Sequence, residues 1–158
     1  MNSKTLLAAQ ILEMSGRAAR TTDRTWKVIE LSVYAAEEFG DAVVDSRHLL
    51  CGVMREGKGV AAYVLKRLDF TCAAVESKLL LGKRTELLAP NSVDNEVSIV
   101  MQTAADFASS MKHNFIGTEH LLLGFMVPQT KSFRLLAELG IDYESVNRLV
   151  RGLLGVCP

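Results

Sequence analysis

His48-Leu49-Leu50-Cys51-Gly52-Val53-Met54 returns as His120-Leu121-Leu122-Leu123-Gly124-Phe125-Met126, and this repetition decides the fold. The copies lie 120 − 48 = 72 residues apart and share His-Leu-Leu-x-Gly-x-Met. Self-similarity at a fixed offset marks a chain built from two copies of one small unit. Each unit is too short to bury much apolar surface alone, so the two are expected to pack face to face into one core.

The same offset aligns more than the motif. Thr22-Asp23-Arg24 falls on Asp94-Asn95-Glu96, Val28 on Val100, Ala36 on Ala108, Val43-Val44 on Phe115-Ile116, and Ser46 on Thr118. After the motif the offset drops by one: Leu68-Asp69-Phe70-Thr71 meets Leu139-Gly140-Ile141-Asp142, and Val75 meets Val146. A one-residue deletion within 127–138 accounts for the slip. The organisation read from this is an extension over 1–20, a first repeat over 21–82, a linker over 83–93 and a second repeat over 94–158.

The class is all-α. Val28, Leu31, Ala35, Ala36 and Phe39 recur at helical spacing, with Gly40 as a stop. Ser46 is expected to cap a second helix through Met54, ended by Glu56-Gly57-Lys58-Gly59. Val60 to Leu68 reads as a third helix. A fourth runs from the cap Thr71 through Leu81 to Gly82. The second copy repeats this with Asp94, Thr118 and Asp142 as caps, and its third helix starts near Lys131-Ser132, after the break at Pro128. No run alternates at period two for long enough to read as a strand. The linker holds the best turn signal, Pro90-Asn91-Ser92. In the extension, Ser3 reads as a cap and Leu7, Ile11 and Met14 share one face. That helix either docks on the domain or binds a partner, and the residues leave both readings open.

Composition limits the function. Of 158 residues 49% are hydrophobic, and 18 basic side chains balance 18 acidic ones. This balance argues against a nucleic-acid or anionic-membrane surface. No run reaches the length of a transmembrane helix, and the start lacks the pattern of a secretory signal. Cys51, Cys72 and Cys157 are widely spaced without a Cys-x-x-Cys pair, which points to reduced thiols and a cytoplasmic setting.

Gly52-Val53-Met54-Arg55-Glu56-Gly57-Lys58-Gly59 imitates a phosphate-binding loop, but Gly59 stands where Ser or Thr should hold magnesium, and a helix precedes it. His48 and Cys51 lie one helical turn apart, yet no second pair completes a zinc site, and Leu123 occupies the place of Cys51 in the second copy. His48, Gly52, His120 and Gly124 therefore read as structural. No acid, base and nucleophile converge, so no catalytic residue, metal or cofactor is expected. Glu37-Glu38 read as a solvated face. One stretch has a physical case for binding: Gly117-Thr118-Glu119-His120 sets a hydroxyl and free N–H groups at a helix start, which suits an anion, while Glu119 suits a guanidinium. A plain capped helix with an acidic first turn accounts for the same residues, and from this stretch alone it is the preferred reading.

The pattern resembles the double Clp N-terminal domain of heat-shock AAA+ unfoldases, especially the ClpC type. It rests on Thr22-Asp23-Arg24 before Val28-Ile29-Glu30-Leu31-Ser32, on His48-Leu49-Leu50-x-Gly52 through Gly59-Val60-Ala61-Ala62, and on Gly117-Thr118-Glu119-His120-Leu121-Leu122-Leu123-Gly124. It covers about residues 21–155. The resemblance implies a pseudo-twofold pair of four-helix repeats that docks substrate proteins, adaptor proteins and Clp ATPase or protease subunits. In ClpC-type members it further implies recognition of phosphorylated arginine, with Glu119 on the guanidinium and the helix start at Thr118 on the phosphate.

Two departures follow. The first copy reads Asp45-Ser46-Arg47-His48, so Ser46 and Arg47 are degenerate equivalents, and Arg47 would repel a guanidinium. The second copy reads Val127-Pro128-Gln129-Thr130-Lys131 in place of the Arg-Glu-Gly-x-Gly turn. No ATPase module follows within these residues. The expectation is a non-enzymatic docking domain, either excised from an unfoldase or standing alone as an accessory subunit of Clp rings.

Overall fold

Nine α-helices carry the fold among the residues that the structure, a computed structural model, describes: 2–16, 20–80 and 89–155. Helix α1 (Ser3–Glu13) precedes the first repeat, which comprises α2 (Asp23–Phe39), α3 (Ser46–Glu56), α4 (Val60–Arg67) and α5 (Cys72–Leu80). The second repeat comprises α6 (Asn95–Ser110), α7 (Thr118–Gly124), α8 (Lys131–Glu138) and α9 (Tyr143–Leu154). The four-helix unit is present twice. Expected features at Leu81-Gly82, through most of the linker and at Cys157 lie outside the described residues.

Local chemistry sets most helix ends. Side-chain oxygens of Thr22, Asp94 and Asp142 accept N–H groups in the first turns of α2, α6 and α9. Gly40 and Gly57 end α2 and α3 in the left-handed region, at φ 72° and 73°, where a Cβ would be strained. Three expected caps move one residue towards the N-terminus: Asn2 caps α1 instead of Ser3, Asp45 caps α3 instead of Ser46, and Gly117 precedes α7 instead of Thr118.

The reason for the last two shifts is that Ser46 and Thr118 cap helices of the opposite repeat. Thr118 Oγ1 accepts the N–H of Ala61 in α4 (3.3 Å), and Ser46 Oγ accepts the N–H of Ser132 in α8 (2.8 Å). Correspondingly, α4 packs on α7 and α9, and α8 packs on α3. Each repeat thus sends its third helix into its neighbour. The shared core includes Val28, Leu49, Leu50 and Leu65 from one repeat and Val100, Leu121, Leu122 and Leu136 from the other, all fully buried.

The segments before the helices pair as well, against the expectation of no strand. β1 (Val43–Val44) runs parallel to β2 (Ser92–Val93), with Val44 opposite Val93. Thr21 pairs with Ile116 in the same sense, which is the same contact moved by one repeat. Two-residue strands are too short to leave an alternating pattern. Pro90-Asn91-Ser92 is accordingly extended rather than turned: Asn91 N–H donates to Ala42 O (2.9 Å) and Asp94 N–H to Val44 O (2.8 Å).

Helix α1 docks across both repeats, against α2, α6 and β2, and buries Leu7, Ala8 and Ile11. Its Lys4 pairs with Glu37 and lies 4.4 Å above the Tyr34 ring. Glu38 pairs with Arg55 (2.8 Å), so both acids of the half-exposed face carry ion pairs.

Candidate functional site

The motif histidines organise the loops ahead of α3 and α7. His48 Nδ1 accepts the N–H of Asp45 (2.9 Å), and His120 Nδ1 accepts that of Gly117 (2.8 Å). A neutral ring that accepts at Nδ1 carries its proton on Nε2. That proton goes to Asp41 Oδ2 from His48 (3.0 Å) and to His113 Nδ1 from His120 (2.8 Å). Asp41 and His113 are themselves one repeat apart. Burial lowers the His120 pKa against the pull of Glu119, and His113 adds to the lowering, so the ring stays neutral. Each ring thus ties the backbone ahead of its helix to a partner one repeat apart from the other's.

The loop ahead of α7 opens onto a cleft of about 380 Å³ between the repeats, lined by Thr22, Asp23, Arg24, Lys58, Gly59 and Val60 of the first and Thr118 and Glu119 of the second. The starts of α2, α4 and α7 converge here. Gly59 allows the approach: a Cβ there would stand 2.6 Å from Thr118 Oγ1. Among the described residues no acceptor meets the N–H groups of Val60, Thr118 or Glu119. Arg24 is held at the cleft by Glu56 (2.9 Å), whose other oxygen accepts the N–H groups of Lys58 (3.1 Å) and Gly59 (2.8 Å). The Glu119 carboxylate folds back over the bare α-carbon of Gly117, where a Cβ would lie 2.5 Å from Oε2. The cleft therefore joins unpaired donors and two cations, Arg24 and Lys58, to two carboxylates, Asp23 and Glu119.

The first repeat has the same backbone arrangement with different occupants. Glu96, one repeat on from Arg24, accepts the N–H of Ser46 (3.0 Å), the Ser46 hydroxyl (2.6 Å) and the N–H of Lys131 (2.7 Å). Arg47, the counterpart of Glu119, turns onto Asp45, donating from Nε (3.2 Å) and Nη2 (2.6 Å). Asp45 also accepts the Arg47 N–H (2.9 Å). Lys131 Nζ reaches Asp94 (2.8 Å) and Asp45 (3.4 Å). The expected pair Thr118 and Glu119 thus lies in an open cleft, and Ser46 and Arg47 lie in a closed network.

Arg24, Lys58, Val60 and Glu96 were not singled out from the sequence as site residues. The reversal from Arg24 to Glu96 is legible at the 72-residue offset, but its meaning depends on which helix starts meet.

Burial would raise the Asp45 pKa, but the permanently charged Arg47 guanidinium, bonded through Nε and Nη2, reverses this and holds it well below the usual carboxylate range. A carboxylate depressed in the folded state stabilises the fold above its unfolded pKa of about 3.9, and that stability is lost as pH falls through the folded value. Urea unfolding at descending pH is expected to show this acid loss. In Asp45→Asn, which still caps α3, the dependence below about pH 4 is expected to flatten.

Among the described residues two groups offer metal donors, Cys51 with Cys72 and Glu76, and His113 with Glu119 and His120. Cys51 Sγ lies 4.0 Å from Cys72 Sγ, and burial, with the neighbouring Cys72, pushes the Cys51 thiol up to about 12. Such a thiol is a poor ligand and nucleophile. In the second group, His113 and His120 already bond each other, and His120 Nδ1 holds the Gly117 N–H. No helix among the described residues is long and apolar enough to cross a membrane.

Comparison with known proteins matches this duplicated architecture. The family described as the Clp repeat (R) N-terminal domain matches residues 7–91 and again 92–158. The Bacillus subtilis (strain 168) negative regulator of genetic competence ClpC/MecB is 30% identical over 139 residues, which span 86% of this chain and 17% of that protein. A Guillardia theta ATP-dependent Clp protease ATP-binding subunit, a ClpA homolog, is 33% identical over 140 residues, spanning 86% of this chain and 17% of its own length.

Among solved structures, the N-terminal domain of Arabidopsis thaliana ClpD superposes with a TM-score of 0.69 at 21% identity, covering 85% of this chain and 97% of that one. A ClpV N-domain in complex with a VipB peptide superposes with a TM-score of 0.70 at 14% identity, covering 93% and 91%. At such identities the structures speak for the fold. Matched once in each of its two repeats, the chain belongs to the Clp repeat N-terminal domain family.

Proposed function

We propose that this domain is a non-catalytic docking module of a Clp unfoldase or protease system, and that its second repeat reads phosphorylated arginine on substrate or adaptor proteins. The observation that carries the reading is the cleft between α2, α4 and α7. Three backbone N–H groups without an acceptor among the described residues stand with Arg24 and Lys58, while the Glu119 carboxylate waits at the edge. A phosphoryl group suits the donors and cations, and a guanidinium suits the carboxylate. Free arginine lacks the first partner and inorganic phosphate lacks the second, so the joined ligand is favoured over either half.

The ring subunits of relatives such as ClpC/MecB, or a proteolytic partner of such a ring, supply the remaining partners in this reading. The solved ClpV N-domain with its VipB peptide adds that this fold can seat a peptide in that protein. Calorimetric titration of free phosphoarginine into the 158-residue chain tests the proposal, with arginine and inorganic phosphate as comparators. Saturation at one equivalent, tighter than either comparator, is expected. Absence of heat with phosphoarginine, and with a phosphoarginine peptide, would remove the mark-reading function and leave a docking domain of Clp subunits.

A further inference from the structure

We propose that the first repeat carries its ligand within its own chain: the Glu96 carboxylate takes the anion's seat and the Arg47 guanidinium the cation's, so that only the second repeat receives external ligand. The assignment of external ligand to the second repeat rests on the function proposed above. The closure of the first repeat rests on geometry alone.

The two repeats serve as each other's comparison structure. The N–H groups of Ser46, Arg47 and Lys131 occupy the positions of those of Thr118, Glu119 and Val60. In the first repeat all three are met by side-chain oxygens: Ser46 and Lys131 by Glu96, and Arg47 by Asp45. In the second repeat none has an acceptor among the described residues. Three positions change together to produce this. Glu96 stands for Arg24, Arg47 for Glu119, and Asp45 for Gly117.

The exchange is one of charge as well as of contact. Asp45 places a carboxylate on the carbon that Gly117 leaves bare, where Glu119 folds back in the second repeat. That carboxylate grips the Arg47 guanidinium through two nitrogens. Glu96 and Asp45 are almost wholly buried, and no buried side-chain polar atom lacks a partner among the described residues. An external anion would have to displace a carboxylate tethered at its own site, which competes at high effective concentration. An incoming guanidinium would meet Arg47 already seated.

The test opens the first repeat. In Glu96→Ala, titration with inorganic phosphate is expected to shift the amide resonances of Ser46 and Lys131, while in wild type these stay still. Glu96→Gln keeps the volume and serves where the alanine variant does not fold. A second arm grafts the open triad onto the first repeat as Asp45→Gly, Arg47→Glu and Glu96→Arg, in a Glu119→Ala background. The graft is expected to bind phosphoarginine at least tenfold more tightly than Glu119→Ala alone.

Silent Ser46 and Lys131 amides in a folded Glu96 variant would overturn the proposal, as would a wild type that binds two equivalents of phosphoarginine. The two readings fail separately. If wild type binds nothing but the opened first repeat responds, the second-repeat reading falls and the internal ligand stands. If wild type binds one equivalent, lost in Glu119→Ala, and the opened repeat stays silent, the reverse holds.

Discussion

Glu119→Ala is expected to weaken phosphoarginine binding by about 2 kcal/mol, a factor of about 30, with little change in the unfolding midpoint. The size follows from the partner lost. The Glu119 side chain is only 16% exposed, so a guanidinium on it would be largely shielded from water. The small effect on folding follows from its remaining contacts, since its nearest ionisable neighbour is His120 Nδ1 at 3.8 Å, itself already paired with Gly117. The variant separates the two ends of the ligand: affinity for inorganic phosphate should hold while that for phosphoarginine falls. Arg24→Ala should weaken both, because Arg24 stands at the anion end. Parallel loss of phosphate and phosphoarginine in Glu119→Ala would mean that the carboxylate orders the cleft instead of meeting a guanidinium.

Much of the architecture was legible because it is written in local chemistry and written twice. The caps Thr22, Asp94 and Asp142 bond donors within their own first turns, and a bond that closes over three residues leaves its mark in sequence. Ser46 and Thr118 look identical to such caps, yet their hydroxyls reach α8 and α4 across the domain. No local pattern separates the two uses. The two-residue strands escaped for a related reason, since their pairing joins Val43–Val44 to residues far along the chain.

The residues of the proposed binding cleft were half legible. Thr118 and Glu119 stand out as a hydroxyl and an acid at a helix start, whereas Val60 contributes only a backbone N–H, which no side-chain type can announce. Glu96 reads as an ordinary first-turn acid suited to a helix dipole. Only the convergence of α3, α6 and α8 shows that it fills the equivalent of an open cleft.

The same alanine placed at three helical glycines is expected to act with opposite signs, and this tests the packing that the repeat encodes. At Gly52 a Cβ would stand 2.5 Å from the carbonyl oxygen of Val28, and at Gly124 it would stand 2.5 Å from that of Val100. Val28 and Val100 are themselves one repeat apart, so α3 meets α2 as α7 meets α6. The obstacle in each case is backbone, which cannot rotate away, and relief requires the helices to part. Overpacking of this kind costs about 3 kcal/mol, whereas replacing Gly by Ala within a helix returns about 1 kcal/mol. A net loss of about 2 kcal/mol lowers the midpoint by about 6 °C in a chain of this size. Gly152 lies in α9 with nothing within 4 Å of an added Cβ, so Gly152→Ala keeps the whole helix-propensity gain and should raise stability by about 1 kcal/mol. Thermal unfolding of the three variants side by side decides the matter. Stabilisation at all three positions would mean that the motif glycine is there for chain flexibility; loss at Gly52 and Gly124 with gain at Gly152 means that it is there to let two backbones touch.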